Sequence, residues 1–135
     1  QQFYSGLDTF GLCQFVFGPA WTLYGPSHAV DLIKAATGWN YSLYEYMQAG
    51  ERRLNMLRAF NAREGLDRKD DSLPKKIFKP LKGGATDGVK LTEEELEQAK
   101  DTYYAMSGWD VQTGTPKRTK LQELGIEWVA DLIGV

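Results

Sequence analysis

The sequence predicts an all-α domain over residues 1–135, irregular in arrangement and interrupted by one long irregular loop. Apolar residues recur every three or four positions over long stretches, which is the spacing of one face of a helix. Two capping boxes, Ser42 with Glu45 and Thr92 with Glu95, mark helix starts, because each pair can bond the backbone N–H groups of the first turn. No stretch alternates apolar and polar residues convincingly, so we expect little or no sheet.

Glycine, proline and capping residues bound the first helices. A short apolar segment opens the chain, and the Gly-Pro pairs at 18–19 and 25–26 follow it. Ser27 is the predicted N-cap of a helix over 28–36, which Gly38 ends. The Ser42 box begins the next helix. Its predicted buried stripe consists of Leu43, Tyr46, Met47, Gly50, Leu54, Leu57 and Asn61.

Residues 65–91 are rich in glycine, proline and charges of both signs, and they predict a long irregular connection. Loops of this length in a compact domain are usually functional or disordered. The Thr92 box then begins a helix that Gly108 is suited to end. The predicted buried stripe of this helix is Leu96, Ala99, Tyr103 and Met106. The chain closes with short helices predicted over 117–124 and 126–133, separated by Gly125.

The composition excludes several classes of protein. Hydrophobic residues make up 42% and charged residues 25% of the chain, as in globular proteins. The net charge of −2 argues against a nucleic-acid binder, which usually carries a basic excess. No apolar run reaches about 18 residues, so we expect no membrane span. We see no signal peptide, and the single cysteine, Cys13, suits a reducing cytoplasm.

The first third of the chain combines few charges with many aromatic side chains. Residues 1–50 hold four charged residues and eleven aromatic ones. Large exposed apolar patches are uncommon on monomeric proteins. We therefore expect part of this surface to be buried against a partner. The alternative is that these aromatic side chains form the core of the domain itself.

The segment from Asp8 to Cys13 places a carboxylate, a glycine and a thiol within six residues. Glycine lets the backbone approach a ligand closely, and a carboxylate can accept hydrogen bonds from a ring N–H. A thiolate can ligate a soft metal or an iron–sulfur cluster. Spacing alone also allows a plainer interpretation, with Asp8 as a helix N-cap and Cys13 buried, because free cysteine is among the most buried residue types.

Two other polar features favour structural interpretations. His28, the single histidine, lies in a predicted first helical turn, where a polar side chain is ordinary. The dense mixed-charge block from Arg52 to Asp71 could dock an acidic redox partner, but such blocks are more typical of solvated helix faces. No His-Glu pair has metal-binding spacing, so the chain alone predicts no zinc or di-iron site.

Three segments, in order, carry a resemblance to a known family. They are Asp8–Phe15 (DTFGLCQF), Gly50–Pro74 (GERRLNMLRAFNAREGLDRKDDSLP) and Tyr103–Gly125 (YYAMSGWDVQTGTPKRTKLQELG). Together they resemble the aldehyde ferredoxin oxidoreductase family of tungsten-pterin enzymes, and the first is similar to its Asp-x-x-Gly-Leu-Cys motif. Gln14 and Ser107 depart from the family pattern, where Lys and Arg are common.

The resemblance implies a tungsten bis-pterin site beside a [4Fe-4S] cluster in a larger parent protein, which oxidises an aldehyde to a carboxylic acid and passes electrons to ferredoxin. By motif match, Cys13 is the last of four cluster ligands and Asp8 binds a pterin, while Gly11 and Leu12 present backbone to it. Related tungsten enzymes act on other substrates, including aromatic-ring reduction in a benzoyl-coenzyme A system.

The family's remaining cluster cysteines, second pterin motif and acid–base residues lie upstream of these segments. The resemblance therefore implies that residues 1–135 are a C-terminal helical domain that packs against the remainder of the parent chain. A cubane cluster needs about four protein ligands, so we expect the isolated chain to bind neither cofactor tightly. The alternative function is a non-catalytic helical module for interaction or scaffolding.

Overall fold

The computed structural model describes residues 1–17 and 24–135, and this part of the chain is mostly helical. The α-helices in it are α1 (Gln2–Thr9), α2 (Gln14–Phe17), α3 (Pro26–Thr37), α4 (Leu43–Arg63), α5 (Glu93–Ser107), α6 (Arg118–Glu123) and α7 (Trp128–Ile133). Pairing between extended segments is limited, in the same residues, to one bridge between Trp109 and Pro116. The all-α prediction is confirmed.

The irregular connection between α4 and α5 contains three short 3-10 turns. They lie at Arg68–Asp70, Lys75–Phe78 and Gly84–Thr86. The long irregular connection predicted for residues 65–91 is therefore confirmed, although its backbone is organised into turns. None of the helices in the described residues is long and apolar enough to cross a membrane.

Both predicted capping boxes are present. The Ser42 hydroxyl accepts a hydrogen bond from the Glu45 N–H at 3.2 Å, and the Glu45 carboxylate accepts one from the Ser42 N–H at 2.8 Å. Thr92 and Glu95 repeat the arrangement at 3.1 and 2.8 Å. These bonds satisfy N–H groups that a helix start otherwise leaves unpaired, so α4 and α5 begin where the sequence places them.

Helix α3 begins two residues earlier than predicted, and its N-cap is Gly25 rather than Ser27. Pro26 occupies the first turn, where its missing N–H costs nothing. The Nδ1 atom of His28 accepts a hydrogen bond from the Gly25 N–H at 2.9 Å, so the histidine helps to fix the helix start. The other predicted break, at Gly18-Pro19, lies outside the described residues.

A first apolar cluster joins α1, α3 and the first half of α4. Its buried members are Phe3, Leu7, Ala29, Val30, Ile33 and Tyr46. Helices α1 and α4 cross at very short range, since a Cβ atom built at Gly50 would lie 2.0 Å from the Gln2 carbonyl oxygen. The Tyr46 hydroxyl donates to the Phe3 carbonyl at 2.9 Å across this crossing. The glycine therefore sets how closely the two helices pack.

A second apolar cluster joins the last half of α4 to the closing helices α6 and α7. Its buried members are Ala59, Leu121, Leu124, Ile126, Val129 and Ala130. The two closing helices lie within the predicted ranges, with Gly125 between them. Helix α4 thus takes part in both clusters and connects the two halves of the chain.

The predicted buried stripes of α4 and α5 are wrong in part. On α4, Leu43 and Leu57 are exposed whereas Arg58 is buried, because this helix packs against α1 over one half and against other elements over the other. On α5, Tyr104 is buried instead of Tyr103, and Met106 is 82% exposed. Tyr104 is drawn inward by contacts with charged groups, which apolar periodicity does not describe.

Candidate functional site

The motif from Asp8 to Cys13 forms the end of α1 and the turn that follows. Gly11 adopts a left-handed conformation with a φ of 68°, which glycine enters without strain. The Leu12 N–H donates to the Leu7 carbonyl at 2.8 Å, and the Gly11 N–H donates to the Asp8 carbonyl at 3.3 Å. This pair of bonds is a Schellman motif, the common way of closing a helix at its C-terminus.

The Schellman turn sets the orientation of the Leu12 and Cys13 side chains. Leu12 packs against the first apolar cluster, which includes Leu7, as the hydrophobic contact of such turns requires. Cys13 follows directly and its side chain is exposed. The Cys13 carbonyl accepts hydrogen bonds from the N–H groups of Val16 and Phe17, both at 3.1 Å, so the backbone around the cysteine is held by the start of α2.

Asp8 lies in the last turn of α1, and its carboxylate is partly exposed. Gln14 donates to one carboxylate oxygen at 2.7 Å, and Arg53 of α4 lies 3.3 Å from the other. An acidic side chain near a helix C-terminus is unfavourable, because the dipole is negative there. The contacts from Gln14 and Arg53 offset that cost and hold the carboxylate beside the turn.

The plainer interpretation of this motif is wrong on both of its points. Asp8 lies at the C-terminal end of a helix and is not an N-cap. Cys13 is exposed rather than buried. The four predicted site residues, Asp8, Gly11, Leu12 and Cys13, lie on one tight turn. The first and last of them are both accessible, as contact with a ligand from outside this chain requires.

The donor set fits a partial contribution to a metal or cluster site. Within residues 1–17 and 24–135, no group of three or more His, Cys, Asp and Glu side chains converges on a position for a metal ion. Cys13 can supply one thiolate ligand, and a four-ligand cluster would need the others from elsewhere. Asp8 can accept hydrogen bonds from a ring with N–H donors.

Apolar side chains near the turn are exposed to an unusual degree. Phe15, two residues after Cys13, is 90% exposed, and Val16 beside it is exposed as well. Trp39 and Tyr44, which flank the start of α4, are also exposed. Other aromatic residues of the first third, such as Phe3 and Tyr46, form the first cluster. The interpretation in which these aromatic side chains form the core is therefore met in part. Burial of the exposed ones against a partner stays a prediction.

A second polar cluster, which we call the charged centre, is formed by Arg58, Asp71 and Tyr104. The guanidinium of Arg58 is only 8% exposed and contacts the Asp71 carboxylate at 2.9 and 2.7 Å. It also donates to the Gly114 carbonyl at 2.7 Å. The Tyr104 hydroxyl donates to the same carboxylate. Arg58 also lies over the ring of Trp109 at 5.3 Å, so its charge is covered by aromatic faces.

The charged centre shifts the pKa values of its members in opposite directions. Burial alone would raise the pKa of Asp71, but hydrogen bonds from Arg58 and Tyr104 hold it below its usual value. Burial, the hydrogen bond to Asp71 and the negative charge of Asp71 raise the pKa of Tyr104 to about 12. Both shifts favour the ionised carboxylate and the neutral phenol. This is the pattern of a stable structural network.

The charged centre corrects the interpretation of the mixed-charge block as a solvated face. Arg58 is buried, and Arg68 is mostly covered where it contacts Glu97, Asp101 and the Val111 carbonyl. Sequence reasoning missed these residues because arginine is mostly exposed in proteins, and apolar neighbours in sequence do not show that it is buried. No local sequence signal identifies Arg58 as buried, because its partners Asp71 and Gly114 are distant from it in sequence.

Comparison with known proteins identifies the relatives of this chain. The sequence model of the family described as "Aldehyde ferredoxin oxidoreductase, domains 2 & 3" matches residues 1–126. The chain belongs to the aldehyde ferredoxin oxidoreductase family. The tungsten-containing aldehyde ferredoxin oxidoreductase of Pyrococcus furiosus is 37% identical over 123 residues, which cover 89% of this chain and 19% of that protein. The corresponding protein of Thermococcus kodakarensis is also 37% identical over 123 residues, with the same coverage.

Other relatives show how the family varies. A protein of Pyrococcus furiosus named aliphatic sulfonate oxidoreductase, WOR-like subunit, is 29% identical over 125 residues, covering 88% of this chain and 19% of that protein. The active site complex BamBC of benzoyl coenzyme A reductase, solved with 1,5-dienoyl-CoA, has a TM-score of 0.65 and 27% identity. That match covers 80% of this chain and 15% of the solved one. The chain thus spans about a fifth of the length of the curated relatives it matches.

Proposed function

We propose that this chain is the C-terminal helical part of a tungsten- and pterin-dependent oxidoreductase of the aldehyde ferredoxin oxidoreductase family. The parent protein would oxidise an aldehyde to a carboxylic acid and pass the electrons to ferredoxin. The names of the relatives support this reaction, and the family match supports the place of the chain among them. The turn at Asp8–Cys13 is the observation that carries the proposal, because it exposes a thiol and a carboxylate from one rigid element.

Each of the four predicted site residues of the turn has a role in this proposal. Cys13 supplies one thiolate ligand to a [4Fe-4S] cluster, and Asp8 accepts hydrogen bonds from a pterin. The N–H groups of Gly11 and Leu12 are engaged inside the Schellman turn, so these residues would offer their carbonyl oxygens to the donor groups of the pterin ring. When bound, the tungsten site and the cluster would supply the redox chemistry of aldehyde oxidation.

The other groups near the turn have a supporting role. Gln14 and Arg53 hold the Asp8 carboxylate at 2.7 and 3.3 Å and so fix the direction in which its remaining lone pairs point. Phe15 and Val16 are placed to exclude water from beside Cys13 once the remainder of the parent protein covers them. A dry surrounding of this kind is one of the means by which proteins tune a cluster.

Metal analysis of variants of the complete protein tests these roles. Cys13→Ser should lower the iron content markedly, because one cluster ligand is lost. Asp8→Asn should lower the tungsten content more than the iron content, because a hydrogen-bond acceptor for the pterin is weakened. The matched control is Asp31→Asn, which removes an exposed carboxylate from α3 and should leave both metals unchanged. Full iron and tungsten contents in both site variants would refute the assigned roles.

The isolated chain provides a second test. One cysteine and an open face should not retain a four-iron cluster or a pterin, since binding sites usually enclose most of a ligand. We expect purified residues 1–135 to contain neither iron nor tungsten in stoichiometric amount, and either metal at one equivalent would contradict the proposal. If the complete protein also lacks both metals and does not oxidise aldehydes with ferredoxin, the alternative of a non-catalytic scaffolding module is correct instead.

A further inference from the structure

Residues 75–90, which we call the lysine segment, form a strongly basic stretch in an otherwise acidic chain. The segment contains five lysines and one acidic residue, Asp87, so its net charge is +4. Because the whole chain has a net charge of −2, the remaining residues carry −6. All five lysines are exposed. They are Lys75, Lys76, Lys79, Lys82 and Lys90.

The positive charge of the lysine segment is not offset by ion pairs in the described part of the chain, although Lys90 interacts electrostatically with Glu95. The ion pairs in the described part of the chain involve other cations, such as Lys69, Lys100 and Lys120, and none of the five. The carboxylate of Asp87 accepts a hydrogen bond from the Gly83 N–H at 2.7 Å and stabilises the turn there. Like charges within one short segment repel one another, so an anionic partner would reduce this repulsion.

Backbone hydrogen bonds hold the lysine segment in a defined shape. The Leu81 N–H donates to the Val89 carbonyl, and the Gly88 N–H donates to the Leu81 carbonyl, both at 2.9 Å. The Leu91 N–H donates to the Ile77 carbonyl at 3.4 Å. The side chains of Ile77, Leu81 and Val89 are nevertheless exposed among the lysines. The segment therefore has a backbone of defined shape, which carries exposed lysines with apolar groups between them.

The lysine segment is separate from the turn that carries Cys13. That turn lies beside the start of α4, where the rings of Phe10 and Tyr46 are 5.6 Å apart. The connection that leads into the lysine segment is attached to α4 by the Arg58–Asp71 contact. Tyr46 and Arg58 are about 18 Å apart along the helix axis, at 1.5 Å per residue. The segment is therefore not part of the proposed cofactor site.

We propose that the lysine segment is a docking surface for the acidic surface of another protein. Lysines arranged in this way steer an acidic partner and set its orientation, while the exposed aliphatic side chains can be buried in the contact. Two other anionic partners fit less well. Single-stranded nucleic acid is usually bound by exposed aromatic rings that stack on its bases, and the one aromatic residue of this segment, Phe78, is partly covered. Anionic membranes usually receive an amphipathic helix, and this segment has only short 3-10 turns.

Binding of defined polyanions to the complete protein tests the proposal. The probes are fluorescent poly-L-glutamate and a random copolymer of glutamate and tyrosine, followed by anisotropy. Lys79→Gln with Lys82→Gln should weaken binding of both polymers by about tenfold, because two uncompensated charges are lost. The matched control is Lys34→Gln with Lys117→Gln, which removes two exposed lysines elsewhere and should change binding by less than about twofold. Circular dichroism confirms that each variant is folded.

The copolymer also tests the apolar part of the surface. It should bind more tightly than poly-L-glutamate, and Leu81→Ser with Val89→Ser should remove that advantage while leaving poly-L-glutamate binding unchanged. The proposal is overturned if the control pair weakens binding as much as the segment pair, or if neither polymer binds. It is also overturned if anionic lipid vesicles or duplex DNA bind the segment more tightly than the copolymer. These outcomes do not depend on metal content, so the proposed function is tested separately.

Discussion

The two polar clusters of this domain are built in opposite ways. In the charged centre, Arg58, Asp71 and Tyr104 contact one another within the chain, and Arg58 also donates to a backbone carbonyl and lies over aromatic rings. In the Asp8–Cys13 turn, the thiol and part of the carboxylate remain accessible, and exposed apolar side chains lie nearby. The denser cluster of charges is therefore the structural one, and the sparser cluster is the better candidate for ligand binding.

The difference shows how to weigh perturbed pKa values in this domain. Structural ion-pair networks shift pKa values as active sites do, so a shift alone does not mark a site. The shifts of Asp71 and Tyr104 both stabilise the protonation states that the folded chain already uses. Accessibility to a ligand from outside the chain distinguishes the two clusters more clearly. Four substitutions test this contrast.

The largest expected effect is at the charged centre. Arg58→Met would leave the Asp71 carboxylate with Tyr104 but without its cation, and the Gly114 carbonyl without the Arg58 donor. We expect the free energy of unfolding to fall by about 3 kcal/mol. Urea denaturation measures this change. Arg63→Met is the control, because Arg63 is half exposed and pairs with its neighbour Glu64. The control should cost less than about 1 kcal/mol. Equal effects would mean that the charged centre does not stabilise the fold.

The next largest effect is at the helix crossing beneath the exposed turn. Gly50→Ala places a Cβ atom 2.0 Å from the Gln2 carbonyl oxygen, so α1 must move away from α4. We expect a loss of about 2–3 kcal/mol in the free energy of unfolding, as for other overpacked cores. Gly25→Ala serves as the comparison, because among the described residues its Cβ would come within 4 Å of His28 alone, at 3.8 Å. That variant should lose less than about 1 kcal/mol.

Alkaline pH should weaken the charged centre through Tyr104. Its pKa is raised to about 12 in the folded chain, whereas an unfolded tyrosine ionises near pH 10. The Tyr104 hydroxyl therefore keeps its proton to a higher pH in the folded state than in the unfolded state. About 2 kcal/mol of the free energy of unfolding, present below pH 10, should be lost as the pH rises toward 12. Tyr104→Phe removes this contribution, whereas the other buried tyrosine, Tyr46, is present in both proteins and does not affect the comparison. Unfolding curves of the two proteins should converge with rising pH, and a constant difference would contradict the assignment.

The smallest effect is expected at the turn itself. Gly11→Ala forces a side chain into the left-handed conformation, although no atom of residues 1–17 and 24–135 would lie within 4 Å of the new Cβ. We expect a loss of about 1 kcal/mol from backbone strain, and less for Gly11→Asn, since asparagine enters this region more readily. Cys13 should still react with a thiol reagent in both variants of the isolated chain. A protected thiol would mean that the turn does not expose the cysteine.

Much of the secondary structure could be predicted because its signals are local. The Ser42 and Thr92 boxes fix the starts of α4 and α5 through bonds within one helical turn. The family motif identified the Asp8–Cys13 segment, but the Schellman turn that gives it its shape was not foreseen. Helix α3 was misplaced by two residues because Ser27 is a better N-cap than glycine by type, and the sequence does not show that His28 caps Gly25.

The sequence by itself determined that the chain is helical, where most helices begin and end, and which family it belongs to. Only the tertiary structure decided which side chains are buried, namely Arg58 and Tyr104 instead of Leu57 and Tyr103, and that Cys13 is exposed. The physical reason is the range of the interactions. Caps and turns act within a few residues, whereas burial depends on partners such as Asp71 and Gly114, which are distant in sequence and meet Arg58 only in the folded chain.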